Sequence, residues 1–301
     1  MDGRVINTDQ AVCSALSPMH LGIFEGIRAY VQGDISSSGP LAVFRWHDHI
    51  NRLWRSAHVS GIEIPYTREQ LLGAVRQAIR ANGFDINTYI SPRVWPRNYI
   101  SAGVTEKEVH VLLRVATLES ILNDGNKTFD AKYRLCVSSW RRLSSDSLPP
   151  QNKALANYAN SRLAEIEALR LGFDDCLFLD SRGLVSESGG SCIFMVKNGV
   201  LITPPISASI LDSITRDSLI ALAREDLGLK VEERDVTRVE GYGADEIFLC
   251  GTYMEVRAVN SIDDIEIGTQ YPGPITKKLA MHFGSVVSGS VPQRMSWLTP
   301  V

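Results

Sequence analysis

Between residues 176 and 203 three short apolar runs follow one another: CLFL (176–179), IFMV (193–196) and VLIT (200–203). The joining stretches, DSRGLVSESGGSC and KNG, carry turn residues and no helical apolar stripe. Four-residue apolar runs bounded in this way read as strands. Strands that succeed one another without crossover helices pair antiparallel. A doubly wound parallel sheet needs a helix between successive strands, so the pattern points to a mixed α+β fold instead. The chain has 301 residues. That suits two domains, or one large one, with a core that needs no disulfide or metal staple.

Elsewhere strands and helices alternate. Leu41 to Phe44 reads as a strand, and Ile50, Leu53, Trp54 and Ala57 follow helical spacing up to a stop at Gly61. Thr67 and Gln70 form a T-x-x-Q capping box ahead of Leu71, Leu72, Val75 and Ile79, with Gly83 as terminator. Val109–Val115 and Ile247–Cys250 read as buried strands. Leu163, Ile166 and Leu169 mark a helix ending near Gly172, and Thr215 opens one carrying Leu219, Ile220, Ala223 and Leu227 up to Gly228. The polar stretch around Gly125 breaks the pattern. The expected domains are therefore 1–120, an N-terminal α/β domain, and 133–301, a C-terminal domain, joined by a loop over 121–132. The turn-rich tail after Gly284 is expected at the surface.

Composition excludes several classes. The formal net charge is −3, so a nucleic-acid coat is not expected. No apolar run approaches the roughly 18 residues of a membrane span, and MDGRVINTDQ lacks the basic start and apolar core of a signal peptide. The five cysteines, Cys13, Cys136, Cys176, Cys192 and Cys250, are odd in number and widely spaced. They read as free thiols of a cytoplasmic protein. Signatures of zinc proteases, P-loop NTPases, serine hydrolases and Rossmann dehydrogenases are absent. His47-Asp48-His49 reads as a helix start with Asp48 near the cap, and no metal is expected.

The chemistry rests on a few residues. Only eight of the 31 basic residues are lysine, and none precedes Lys107. Lys153 alone has small neighbours, Ala154, Ala156 and Ala159, and a tyrosine five residues on. It reads either as an exposed loop lysine or as an amine aimed into a pocket, where it would be a nucleophile. Glu187, followed by small residues and then an apolar strand, is either a turn carboxylate or a group close to a ligand. Ile214 and Thr215 open a helix whose exposed N–H groups suit a phosphate, unless this is a plain Thr cap. Gly251-Thr252 offers further backbone donors or a simple turn. Arg52 could enter a cleft and grip a phosphate through two parallel bonds, or face solvent. One amine, one carboxylate, one arginine and two anion cups are the parts of a pyridoxal phosphate site.

The segments FEGIRAY (24–30), VFRWHDHINRLWRSA (43–57), SSWRR (138–142), NKALANY (152–158), LDSRGLVSESGGSCIF (179–194), ITRDSLIALARE (214–225), ADEIFLCGT (244–252) and GPITKK (273–278) run in order over nearly the whole chain. In these the sequence resembles the branched-chain aminotransferases of the fold-type IV pyridoxal-phosphate enzymes. The resemblance implies two mixed α/β domains, D-amino-acid aminotransferase-like, with pyridoxal 5′-phosphate in the interdomain cleft and a homodimer as the minimum assembly. It implies that Lys153 is the Schiff-base lysine and proton shuttle. Tyr158 then meets the cofactor's phenolic oxygen and Glu187 its pyridine nitrogen, while Arg52, Ile214, Thr215 and Thr252 hold the phosphate.

The substrate side departs from the family. Met19 stands where the family usually has Tyr. The family's Tyr-x-Arg-Pro, whose Arg receives the side-chain carboxylate of glutamate, is Tyr89-Ile90-Ser91-Pro92 here, with Arg93 and Arg97 as nearby replacements. The two small residues usual after Gly-Thr are Tyr253 and Met254. Phe24, Tyr89, Ser91, Arg93, Arg97, Tyr253 and Met254 are therefore the candidate substrate contacts. The expected activity is transfer of an amino group between a branched-chain-like amino acid, or a specialised analogue, and a 2-oxo acid, with 2-oxoglutarate a poor partner. A lyase of the aminodeoxychorismate type and an amine or D-amino-acid transaminase are the alternatives.

Overall fold

The computed structural model describes residues 4–6, 18–33, 38–97, 108–118, 129 and 131–301. Most of the expected loop at 121–132 and Cys13 lie outside the described residues. By contacts the chain forms two compact units. The first comprises residues 1–125, 152–156 and 285–301, and the second 126–151 and 157–284. These units are discontinuous in sequence where the expected domains are continuous.

The first unit opens with β1 (Ile23–Phe24), β2 (Ile27–Val31), β3 (Leu41–Phe44), α1 (Trp46–Val59), α2 (Arg68–Asn82), β4 (Thr88–Pro96) and β5 (Val109–Thr117). β4 is the organising strand. It pairs antiparallel with β5 along its whole length and with β1 and β2 on its other edge. Strand alternation sends Ile90 and Val94 to one face. There they meet Ile23, Ile27, Val109 and Val111 and the buried faces of both helices: Trp46, Ile50, Leu53 and Ala57 of α1, and Leu71, Val75 and Ile79 of α2. The expected capping box is present. Gln70 N–H donates to Thr67 Oγ1 at 3.1 Å, Thr67 N–H donates to Gln70 Oε1 at 2.8 Å, and Gly83 ends the helix at φ 62°.

The second unit runs β6 (Arg134–Arg141), α3 (Tyr158–Arg170), β7 (Asp175–Leu179), β8 (Val185–Ser188), β9 (Cys192–Lys197), β10 (Val200–Thr203), α4 (Ile214–Ala221), β11 (Val231–Glu233), α5 (Arg238–Tyr242), β12 (Glu246–Gly251), β13 (Glu255–Val259), β14 (Ser261–Ile262), β15 (Ile265–Glu266) and α6 (Pro274–Val287), whose last residues cluster with the first unit. Two five-stranded sheets result, ordered β11-β10-β9-β12-β13 and β15-β14-β6-β7-β8. The expected antiparallel pair of 193–196 with 200–203 forms as β9 and β10, whereas 176–179 (β7) lies in the other sheet and pairs antiparallel with β8, a strand inside the stretch read as a turn. β6–β7, β10–β11 and β14–β6 are parallel, so both sheets are mixed. Phe194 and Phe248 stack at 5.0 Å and 13° across β9 and β12, worth about 1 kcal/mol beyond their burial.

Three expectations change. α3 exists, but Leu163 and Leu169 are exposed, and Ser161, Ala164 and Ala168 form its buried side. Ala164 and Ala168 pack on Cys136, Cys176 and Phe178, which leave no room for larger side chains on that face. α4 stops at Ala221, and a π-helical turn, Leu222–Asp226, continues to Gly228 at φ 63°. The tail after Gly284 is not a surface appendage. Val286 and Val287 are buried, and β16 (Leu298–Pro300) pairs antiparallel with β3. The edge of β3 needs partners for its N–H and C=O groups, and this segment supplies them. No described helix is long and apolar enough to cross a membrane.

Candidate active site

In the first unit, α1 places two stripes inside. The apolar one faces the core. The other, His49, Arg52 and Ser56, is polar, yet each of its members is at most 4% exposed. Helical spacing of three and four residues aligns them on one side of α1. Their partners explain the burial. Arg52 Nε–H donates to Glu25 Oε1 at 2.6 Å and Nη2–H to Oε2 at 2.8 Å, while His49 Nδ1 donates to Oε2 at 2.9 Å. Burial alone would raise the Glu25 carboxyl, but the Arg52 charge and the hydrogen bonds from Arg52 and His49 outweigh it and lower the group to about 2. Burial also lowers His49, against the pull of Glu25.

One turn further along α1, Ser56 Oγ accepts the backbone N–H of Lys153 at 3.1 Å, and Ser60 Oγ accepts Asn152 Nδ2 at 3.0 Å. The Lys153 carbonyl accepts Phe24 N–H at 3.1 Å, Ala154 bridges Ile23, and Leu155 N–H donates to Gly22 O. The lysine segment is thus laid along β1 as a short added strand. Lys153 is 9% exposed, and its Nζ lies 4.8 Å from the centroid of the Phe24 ring. Of the two sequence readings of this lysine, the exposed loop is excluded.

The other face of the sheet carries Tyr89, Ser91, Arg93 and Trp95 of β4 in alternation. Tyr89 lies opposite Arg28, and its hydroxyl sits over Gly26 so closely that a Cβ there would come within 2.0 Å. Arg93 lies opposite Phe24. Arg97 is exposed and turned back along the strands, its N–H donating to Glu108 O at 2.8 Å and its Nε–H to Val109 O at 3.3 Å. Met19 is also exposed, in a short 3₁₀ turn.

In the second unit, Glu187 on β8 is 3% exposed. Arg142 Nη2 lies 2.8 Å from its Oε1, Leu211 N–H reaches both oxygens at 3.2 Å, and the Cys192 thiol donates to Oε2 at 3.6 Å. Gly189 follows two residues on, and a Cβ there would fall 2.5 Å from Glu165 Oε1. Arg142, Leu211 and Glu25 are not singled out by sequence reasoning, and His49 is read there only as part of a helix start. Arg142, Glu25 and His49 lie inside the resemblance segments, but no spacing marks them for this role. At the start of α4, Ser213 Oγ accepts Arg216 N–H at 3.3 Å, and the N–H groups of Ile214 and Thr215 have no acceptor among the described residues. Gly251 packs against the Gly190-Ser191 turn, where an added Cβ would lie 3.4 Å from Ser191 Oγ and 3.5 Å from the Gly190 carbonyl oxygen. It brings Thr252 to the end of β12. Tyr158 heads α3 and is half-buried. Tyr253 is exposed, whereas Met254 packs against the core of this unit.

Burial raises Asp175 to about 6, its hydrogen bonds from Cys176 and Ser188 only partly opposing this. Burial likewise pushes the Cys192 and Cys250 thiols well up, so these cysteines are inert packing groups.

The family described as "Amino-transferase class IV" matches residues 22–262. A probable branched-chain-amino-acid aminotransferase of Aquifex aeolicus is 35% identical over 304 residues, covering all of this chain and 95% of that protein. The branched-chain-amino-acid aminotransferase of Escherichia coli K12 is 34% identical, covering all of this chain and 96% of its own. Among solved structures, the branched-chain aminotransferase of Thermoproteus uzoniensis with norvaline superposes with a TM-score of 0.90 at 38% identity, over 99% of this chain and 97% of that one. That of Thermobaculum terrenum in its PLP form superposes with a TM-score of 0.88, also at 38% identity, over 99% and 95%. The folds in common are those of fold-type IV enzymes, and the chain belongs to the class IV aminotransferases.

Proposed function

We propose that this aminotransferase uses pyridoxal 5′-phosphate to move an amino group between a branched-chain-like L-amino acid and a 2-oxo acid, with Lys153 as its catalytic amine. The observation that carries the reading is the buried Lys153 amine, held against the Phe24 ring by backbone bonds to Ser56 and Phe24. The donor set fits that cofactor. It offers an amine for an aldehyde, a buried carboxylate for a ring nitrogen, and a helix start with acceptor-free N–H groups for a phosphate.

The bound cofactor supplies an electron sink that makes the Cα–H of the amino acid acidic. Lys153 would take that proton from Cα as general base and return it as general acid to the cofactor's C4′ carbon, on the far side of the amino nitrogen. Glu187 keeps a proton on the ring nitrogen, and Arg142 and Leu211 N–H fix the orientation of its carboxylate. Tyr158 donates to the phenolic oxygen. The N–H groups of Ile214 and Thr215 and the hydroxyls of Thr215 and Thr252 take the phosphate. Arg52 contributes through its outer edge, because its Nε–Nη2 edge already holds Glu25. The two-bond grip on phosphate expected of Arg52 therefore gives way to a bridging role. Phe24 and Tyr89 on the first unit, and Tyr253 on the second, are the substrate contacts we assign, while Met254 packs in the core of its own unit.

The named relatives favour branched-chain substrates, and Met19, Ser91 and Tyr253 favour a specialised analogue of them. A homodimer in the cytoplasm is the assembly and place we propose. Exposed Leu163, Leu169 and Leu171 suit a subunit contact, and four free buried cysteines suit a reducing compartment. Light scattering of the purified protein checks the dimer.

Lys153→Ala should remove the visible absorption band of the bound cofactor and cut turnover by at least about a thousandfold in a screen of leucine, isoleucine and valine. Turnover near that of the unaltered enzyme would overturn the reading.

A further inference from the structure

We infer that Arg114 on β5, together with Arg93 on β4, forms a receptor for the distal carboxylate of a dicarboxylic substrate. This rests on the reading of Lys153 as the amine at the reaction centre, and it replaces the expectation, drawn from Ser91 alone, that 2-oxoglutarate is a poor partner.

β4 and β5 pair antiparallel in register from Thr88 to Pro96, and Ser91 lies directly opposite Arg114. Directly opposed residues share a face, with Cβ atoms about 5 Å apart. The small Ser91 side chain therefore leaves the space over that pair to the arginine. Arg93 is two residues along the same face, about 7 Å away, and is itself the cross-strand partner of Phe24, whose ring meets the Lys153 amine. The order along the face is thus amine, aromatic ring, Arg93, Arg114.

Both arginines are half-buried. Arg93 Nε is fully buried and has no hydrogen-bond partner. Among the described residues no carboxylate pairs with either guanidinium, whereas Arg52, Arg142 and Arg216 each hold one. Withdrawing a cation from water without a counter-ion costs several kcal/mol. Two such cations on one face raise the potential there and favour an anion. Arg is suited to a carboxylate because two parallel N–H groups match its two oxygens.

The ligand class follows from position. An acid whose reacting carbon sits at Lys153 reaches past Phe24 only with a carboxylate at the far end of its side chain. A monocarboxylic branched-chain acid presents a hydrocarbon end to the same face and gains nothing from the charges.

The test compares the holoenzyme with Arg114→Gln, Arg114→Lys and Ser91→Asp. The readouts are KM for 2-oxoglutarate, KM for 2-oxo-4-methylpentanoate, and the affinity of glutarate against that of 4-methylvalerate. Losing one charge-assisted pair predicts a rise of roughly 10- to 100-fold in KM for 2-oxoglutarate and in Kd for glutarate. In Arg114→Gln and Arg114→Lys, values for the two monocarboxylic acids should stay within about twofold. Arg114→Lys should recover part of the loss. Ser91→Asp supplies an internal partner to Arg114 and should reproduce the loss with the arginine still present, which covers failure of Arg114→Gln to fold. Equal changes for both acid classes, or none for either, would overturn the proposal. The glutarate arm needs no turnover, so it still reports on Arg114 if the assignment of Lys153 fails.

Discussion

Glu25 and Glu187 are both buried carboxylates that meet an arginine, one in each unit, and they differ in what remains to be bonded. Glu25 takes three short bonds, two from Arg52 and one from His49, and is 0% exposed. An ionised carboxylate has about four acceptor positions, so little is left for a ligand. Glu187 takes one short contact from Arg142. Its Oε2 otherwise has only a shared N–H at 3.2 Å and a thiol at 3.6 Å. Similar burial thus serves two ends. The first carboxylate ties α1 to the strand that bears Phe24, and the second keeps an acceptor site in reserve.

The sharpest way to break the contrast is Glu187→Gln. An amide can still accept from Leu211 N–H but carries no charge for a pyridinium proton. Turnover should fall by about 10²–10³-fold in steady-state kinetics, beyond the stability lost by leaving the buried Arg142 without its counter-charge, which calorimetry registers separately. Loss of stability with kinetics intact would exchange the roles assigned to the two groups.

Glu25→Gln comes next. It leaves the buried Arg52 without its counter-charge and should cost about 3–5 kcal/mol in denaturant unfolding. Catalysis should suffer through the placement of Phe24 and Lys153 rather than through the chemistry.

The smallest effect is a slope. Glu25 is lowered from 4.5 to about 2. Its contribution is therefore complete above about pH 4.5 and is lost as pH falls toward 2. Asp175 moves the other way, from 3.8 to about 6. The fold is favoured while Asp175 is protonated, and stability declines as pH rises from about 4 to 6. Urea midpoints measured against pH should lose their acid-side drop in Glu25→Gln and their decline between about pH 4 and 6 in Asp175→Asn. An unchanged profile in both variants would show that neither carboxylate governs the acid behaviour.

Legibility follows the range of the interaction. The capping box of α2, the strand Leu41–Phe44 and the runs at 176–203 are readable because their determinants are local. α3 is readable as a helix but not by face. Its leucines point outward because the space beneath Ala164 and Ala168 is set by Cys136, Cys176 and Phe178, of which Cys136 is far away along the chain. Lys153 is readable from its small neighbours, while its anchors, Ser56 and Phe24, are supplied by remote segments. Arg114 carries no local signal at all. Only the register of β4 against β5 brings it to Ser91.

The pairing of β16 with β3 also has a bearing on synthesis. Leu298 lies opposite Phe44, so the sheet that contains β3 is completed by a segment synthesised long after β3 itself. Until that segment emerges, β3 offers an unsatisfied edge, the kind of surface that recruits other chains. Early folding of the first unit therefore yields an open-edged intermediate. Truncations that remove residues 298–300 should leave that edge bare and raise aggregation before they touch any residue assigned to chemistry.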